Sequence, residues 1–246
     1  MNEAFRRDGY VLFKRFLSGS VLDEVQANVT RFINDVLPHL PPEHVFYEDK
    51  DDPTTLKQIQ QMGEHDPYFG CWMNEGSFRE VAELLLDGPV VPMNMQYFNK
   101  PPGIGKPTPP HQDGYYFMLD PCEAVTMWFA LDVVDEENGC VRYIPGSHRK
   151  GMRPHGRTTT LGFSQGITDY PTPDDQAREV AMHALPGDLL VHHALTIHRA
   201  DGNSSPTRSR RALGFIYYSE RARQDEAAHR AYQERLKQEI SDAGQI

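Results

Sequence analysis

The sequence predicts a mainly β fold with flanking helices, and three observations carry that prediction. From about residue 90 onward the segments VVPMNMQYF, AVTMWFALDVV, CVRYIPG, DLLVHHAL and RALGFIYYS are short, rich in β-branched and aromatic residues, and bounded by Pro, Gly, Asn and Asp. That is the texture of strands between turns. No helical pattern separates them, so a sandwich or barrel is expected rather than alternating βαβ units. The helical signals lie ahead of them, in residues 1–90, and 246 residues is an ordinary length for a single domain of this kind.

Within the mostly helical scaffold of residues 1–90, Ser18 to Leu37 places Val21, Leu22, Val25, Val29, Phe32, Ile33 and Val36 at spacings of three and four. This is an amphipathic helix with Ser18 or Ser20 as N-cap and Pro38 ending the run. Ser77-Phe78-Arg79-Glu80 has the capping-box form and opens a second helix that carries Val81, Leu84 and Leu85 and stops at Gly88-Pro89. Residues 91–219 make the β core. Inside it, the stretch from His148 to about Gln176 is rich in Gly, Thr, Arg and Pro and reads as a long loop. Loops of that length are functional or disordered, and whether this one covers an active site is open at this point. Residues 220–246 are charged with a thin apolar stripe, which predicts a surface helix.

Composition narrows the function. A formal charge of −10 disfavours a duplex nucleic-acid partner and favours a small molecule. No apolar run approaches the roughly 20 residues that cross a bilayer, and the start MNEAFRRDGYVLFKRFL lacks the form of a signal peptide. A cytoplasmic address is expected. Cys71, Cys122 and Cys140 are odd in number and widely spaced, against both a disulfide framework and a zinc knuckle. Oligomeric state is not written in the sequence.

Two motifs carry chemistry. His111-Gln112-Asp113 puts an imidazole and a carboxylate two residues apart, which on a strand would point both to one face. Two imidazoles and one carboxylate on one face of an octahedron leave three positions open, a set that suits iron(II). The third ligand must come from elsewhere, and the segment PGDLLVHHALTIH offers His192, His193 and His198 without a spacing argument to choose among them.

Five segments in order resemble the phytanoyl-CoA dioxygenase family of iron(II)- and 2-oxoglutarate-dependent oxygenases. They are HQD at 111–113, MWFALD at 127–132, ENGCVRYIPGSH at 137–148, PGDLLVHHALTIH at 186–198 and RRALGFIYY at 210–218, with DGYVLFKRFLS resembling the family's entry segment. The resemblance implies a double-stranded β-helix core (jelly roll, cupin-like) and a metal site of His111, Asp113 and His198. It implies Fe(II), 2-oxoglutarate and O2 as cofactors, and hydroxylation of a small molecule with release of succinate and CO2. It also implies an arginine for the distal carboxylate of 2-oxoglutarate, where a planar guanidinium grips in a bidentate way that lysine cannot copy. Arg208, Arg210 and Arg211 are candidates, and the family pattern favours Arg210, leaving Arg211 pointing outward and solvated. Trp128 and Gln96 resemble further cosubstrate contacts, with Thr126 a weaker one. Trp128 also reads as core. His192 and His193 then become packing or supporting residues, and His148 a hydrogen-bonding turn residue. Relatives that halogenate lack the carboxylate ligand, so Asp113 points to hydroxylation.

The substrate is not legible. Tyr115, Tyr116 and Phe117 follow the metal motif and either line the pocket or fill the mouth of the fold. Arg149, Lys150, Arg153, His155 and Arg157 form a local positive cluster, read as a receiver for an anionic substrate or as a loop balanced by Asp169, Asp174 and Asp175. Tyr115, Phe117, Arg153 and His155 are carried forward as substrate candidates. Two other classes stay open: a metal-dependent cupin-type enzyme without oxygen chemistry, and an inactive small-molecule binding or sensing module.

Overall fold

The computed structural model describes residues 2–160 and 163–242. Two antiparallel sheets face each other. The larger runs, in spatial order, Tyr10–Phe13, Leu189–His193, Ala124–Ala130, Ala212–Ser219, Val90–Phe98, Leu56–Ile59 and Val45–Tyr47. The smaller runs Val180–Met182, Val141–Tyr143, His198–Ala200 and Thr108–His111. This is the jelly-roll architecture in its open form: the sheets stack without closing into a barrel. Three strands of the larger sheet come from the first 90 residues, so that region supplies both sheet edges as well as helices.

The pleat divides the larger sheet between two tasks. Met95, Val125, Met127, Phe129, Leu189, Val191, Leu213, Phe215 and Tyr217 turn to one face and pack on the N-terminal helices through Phe32, Phe69, Phe78 and Ala82. Phe78 stacks on Phe215 with ring centroids 4.0 Å apart. The alternate residues, among them Trp128, Ala130, Leu190 and Ala212, face the smaller sheet and meet Val141 and Tyr143. A strand with helices on one face and a second sheet on the other is apolar throughout, which is why every residue of Ala124–Ala130 is buried.

Several local expectations need correction. The first long helix is Ser20–Arg31, continued by a π turn over Phe32–Val36. Gly19 is its N-cap and no side chain caps it. The buried stripe begins at Val25, and Val21 is exposed. The second helix, Ser77–Leu86, already includes Ser77, so Gly76 takes the cap position and the capping box does not form. Its buried face is Phe78, Ala82, Leu85 and Leu86, with Leu84 in solvent. The 148–176 stretch is structured: His155–Thr160 pairs with Phe163–Ile167, and Pro173–Arg178 is a helix closed by a capping box between Thr172 and Asp175. Its Gly and Thr content obscured the strand alternation. On the C-terminal helix, Glu226–Asp242, Tyr232 is buried and its hydroxyl meets that of Ser164 on the hairpin. Residues 243–246 of the expected surface helix lie outside the described residues. Among the described residues no helix is long and apolar enough to cross a membrane.

The Gly-Asp turn before Leu189 is tied to the N-terminal segment at Arg15 and Leu17. Asp188 accepts from the backbone N–H of Arg15 at 2.8 Å and of Leu185 at 2.9 Å. Gly187 has φ +90°, and a Cβ there would stand 2.1 Å from the Leu17 carbonyl oxygen. Gly187→Ala is therefore expected to cost about 2 kcal/mol or more, from left-handed strain and overpacking together. A denaturant midpoint equal to that of the unsubstituted protein would contradict this close approach.

Candidate metal centre

Strand register builds the site. On the smaller sheet, Tyr143, His198 and His111 are direct partners across three adjacent strands. On the larger sheet, Tyr10, His192 and Thr126 make a second row. Asp113 enters between them, though not from a strand: the strand ends at His111, and Asp113 has helical backbone (φ −58°, ψ −33°) at the start of the Gly114–Phe117 turn. The pleat argument for His-x-Asp therefore does not hold. Gln112, fully buried, pulls the chain off the strand path by donating to the carbonyls of Gly151 (2.9 Å) and Leu195 (2.7 Å) and accepting from Arg153 N–H (2.8 Å).

His111 Nε2 lies 3.3 Å and His198 Nε2 3.6 Å from Asp113 Oδ1, with the two ring centroids 4.1 Å apart. Ligand-capable atoms of the three residues all fall within 4.8 Å of one another. The tautomers suit a metal. His111 Nδ1 donates to the Pro109 carbonyl at 2.8 Å and His198 Nδ1 to the Thr196 carbonyl at 3.0 Å, so both Nε2 lone pairs face Asp113 Oδ1. The other oxygen, Oδ2, accepts from Thr126 Oγ1 at 2.5 Å and His192 Nε2 at 3.0 Å. Burial pushes the Asp113 carboxyl up, but the surrounding imidazoles of His198, His111 and His192 outweigh it and hold the group well below the usual carboxylate range. Burial holds His198 down, toward the neutral imidazole that a metal requires.

The other two histidines of that segment are committed elsewhere. His192 Nε2 is spent on Asp113 and its Nδ1 faces the Tyr143 hydroxyl at 2.9 Å. His193 accepts from Leu195 N–H at 3.1 Å and packs beside Phe5 and His148. His148 bonds the Arg6 carbonyl at 3.2 Å, tying the Ser147–Lys150 turn to the N-terminal helix rather than to itself.

One cavity joins the three residues to Arg210, with Trp128, Phe98, Lys57 and Lys100 on its walls. Arg210 precedes the Ala212–Ser219 strand, and its backbone N–H and carbonyl pair with those of Lys100, each at 3.2 Å. Its guanidinium stands 5.2 Å from the Trp128 ring centroid. It is 4% exposed, its Nε has no hydrogen-bond partner, and among the described residues no carboxylate lies within ion-pair range. Burial lowers its pKa to about 10. Arg208 and Arg211 differ: Arg208 pairs with Asp135 at 2.8 Å and Arg211 with Asp132 at 2.7 Å. Arg211 is thus half-exposed but ion-paired, a correction to the solvated arginine expected. Gln96 is one layer back, accepting at 2.7 Å from Gln58, and Gln58 is the residue on the cavity wall.

The sequence reading missed Lys57 and Lys100. Lys57 Nζ is 3.3 Å from Glu48 Oε1 but makes no well-directed hydrogen bond. Lys100 donates to the Lys106 carbonyl, and burial beside Arg210 holds its pKa well below the ordinary lysine value. No local pattern marks either lysine, since both reach the cavity through pairing of distant segments.

The substrate candidates sit apart from this cavity. Arg153 forks between Asp169 at 2.9 Å and Asp175 at 2.8 Å, and Lys150 pairs with Asp174 at 2.9 Å, so these cations are neutralised within their own segment. His155 accepts from Gln112 N–H at 3.1 Å and stacks on Tyr115 at 4.4 Å. Phe117 is buried with Ala124, Ala194 and Tyr218. Tyr116 stands edge-on to His111 at 6.0 Å, its hydroxyl on the Gln165 carbonyl at 2.7 Å.

Comparison with known proteins assigns the family. The sequence model of phytanoyl-CoA dioxygenase (PhyH) matches residues 5–212. The chain belongs to the phytanoyl-CoA dioxygenase family. Family relatives include phytanoyl-CoA dioxygenase 1 of Oryza sativa subsp. japonica, 33% identical over 181 residues that cover 68% of this chain and 63% of that one. The phytanoyl-CoA dioxygenase domain-containing protein 1 homolog of Caenorhabditis elegans is 26% identical over 83% of this chain and 85% of its own length. The match spans less than two thirds of the rice relative, and 62% of the Arabidopsis thaliana phytanoyl-CoA dioxygenase. Among solved structures, EctD from S. alaskensis with 2-oxoglutarate and 5-hydroxyectoine superposes with a TM-score of 0.72 at 21% identity, over 89% of this chain and 74% of that one. The epimerase SnoN with Fe3+, alpha ketoglutarate and nogalamycin RO gives 0.69 at 24% identity, over 90% and 83%. At these identities the family shares its fold with both.

Proposed function

We propose that this family member is an Fe(II)- and 2-oxoglutarate-dependent dioxygenase that hydroxylates a small organic molecule. In this reading His111, Asp113 and His198 hold the metal and Arg210 holds the distal carboxylate of 2-oxoglutarate. The observation that carries it is a buried arginine without an anionic partner, in one cavity with two imidazoles and a carboxylate whose lone pairs converge. The donor set fits iron(II), leaving positions open for chelating cosubstrate and oxygen. A buried unpaired guanidinium is costly unless an anion meets it, and a dicarboxylate chelated at the metal supplies one. EctD and SnoN, whose crystals hold 2-oxoglutarate and Fe3+ with alpha ketoglutarate respectively, make that cosubstrate the natural assignment for the shared fold.

Bound there, iron(II) and 2-oxoglutarate supply the oxidising power: O2 is consumed, 2-oxoglutarate becomes succinate and CO2, and the substrate gains a hydroxyl. The chain's own residues orient and enclose. The Pro109 and Thr196 carbonyls fix the two imidazole tautomers. Trp128 backs the Arg210 guanidinium and, with Phe98, keeps that end of the cavity apolar. Gln96 acts only through Gln58. Lys57, paired with Glu48, lines the same cavity.

Equilibrium dialysis of 2-oxoglutarate against Mn(II)-loaded protein tests the reading without turnover. One equivalent should bind, and only when metal is present. Metal-loaded protein that retains no 2-oxoglutarate would overturn the assignment of Arg210 and of the cosubstrate together.

A further inference from the structure

The polar side chains of the site differ in kind: His111 and His198 turn Nε2 toward Asp113 Oδ1, whereas His192 has both ring nitrogens engaged and Tyr143 lies off the cavity of Arg210. Tyr143, His192 and Thr126 are all buried, and the polar group of each ends, directly or in one step, on a single atom: Asp113 Oδ2. Buried polar side chains are costly unless their hydrogen bonds are made, and here the bonds that satisfy all three converge on the carboxylate.

The carboxylate sets the hydrogen-bond directions for a neutral His192 ring. A carboxylate oxygen only accepts, so His192 Nε2 carries the proton that faces Asp113 at 3.0 Å. In the neutral ring Nδ1 then accepts, and the Tyr143 hydroxyl donates to it at 2.9 Å. Burial pushes the Tyr143 phenol well above its ordinary pKa, so it keeps its proton. Tyr143 is itself fixed by stacking on Tyr10, centroids 4.5 Å apart and planes within 14°. Thr126, the direct strand partner of His192, adds its hydroxyl at 2.5 Å.

We propose that Tyr143 and His192, with Thr126, form a positioning relay that ties Asp113 Oδ2 back and presents Oδ1 alone to the metal. This inference rests on the metal assignment above. Two donors fill Oδ2, and the carboxylate plane is set by groups from both sheets: Tyr143 from the smaller, His192 and Thr126 from the larger. A carboxylate held in this way binds through one oxygen and leaves a coordination position that a chelating, two-oxygen mode would occupy. The relay also explains why a histidine so near the triad is not itself a ligand: its one suitable nitrogen is a donor.

The test reads metal binding. Co(II) affinity and the visible Co(II) spectrum are measured for the unsubstituted protein and for Asp113→Ala, Tyr143→Phe, His192→Gln and His192→Phe, with circular dichroism as the check on folding. Loss of an outer partner to a ligand weakens binding by roughly 10- to 100-fold, and His192→Phe should fall in that range with an altered spectrum. His192→Gln keeps an N–H where Nε2 stands and should recover most of the affinity. Tyr143→Phe, nearly isosteric, should lose several-fold. If His192 only fills space, the larger apolar ring serves as well as glutamine, so His192→Phe binding Co(II) as tightly as His192→Gln overturns the relay. Should His192→Phe fail to fold, Tyr143→Phe decides alone, unchanged affinity and spectrum counting against the proposal. Undiminished Co(II) binding by Asp113→Ala would overturn the metal site itself, an outcome separate from loss in Asp113→Ala with no effect at His192.

Discussion

Asp113→Ala is expected to abolish hydroxylation and to weaken metal binding by more than the roughly 10- to 100-fold that changes to supporting residues cost. The carboxylate is the one negative charge among the three residues, and it is held ionised inside the protein by its histidine neighbours against the effect of burial. Removing it leaves two neutral imidazoles and strands the donors of Thr126 and His192. Chelator competition against a fluorescent metal indicator measures the loss, and full activity in this variant would remove Asp113 from the site.

Arg210→Met is expected to have two effects of opposite sign. Loss of the buried, charge-assisted grip should weaken 2-oxoglutarate binding by about 2–5 kcal/mol, which is roughly 30-fold to several thousand-fold in Kd. Meanwhile the ligand-free protein should become more stable, by about 1 kcal/mol or more, because an unpaired buried cation gives way to an apolar chain of similar length. Its Nε has no partner to lose. Arg210→Lys should recover little of the binding, since an ammonium cannot reproduce the guanidinium fork or its stacking on Trp128. Thermal unfolding without ligand, set beside dialysis with 2-oxoglutarate, separates the two effects. A variant that is less stable and still binds normally would show Arg210 to be an ordinary core cation.

How much of this was legible in the sequence depends on the range of the interaction concerned. The strands were readable because a strand buried on both faces must be apolar along its length, as in AVTMWFA. Which of His192 and His198 stands beside His111 was not, because that is set by register between strands. His198 falls beside His111 on the smaller sheet, and His192 falls beside Thr126 on the larger one. The convergence of His111 and Asp113 was anticipated for the wrong reason, since Gln112 turns the chain into a helical start between them. Lys57 and Lys100 gained their place at the cavity by pairing of distant segments, which no local pattern encodes. The hairpin within 148–176 and the ion pairs of Arg153 likewise depend on contacts between residues too far apart for short-range propensity to register.

The most direct test of the account is anaerobic addition of iron(II) and then 2-oxoglutarate to the purified protein, followed by visible absorption. The weak metal-to-ligand charge-transfer band of the chelate should appear in the unsubstituted protein, and it should be absent from Asp113→Ala and greatly reduced in Arg210→Met at the same cosubstrate concentration. Iron-loaded protein that shows no such band at saturating 2-oxoglutarate would contradict the central claim.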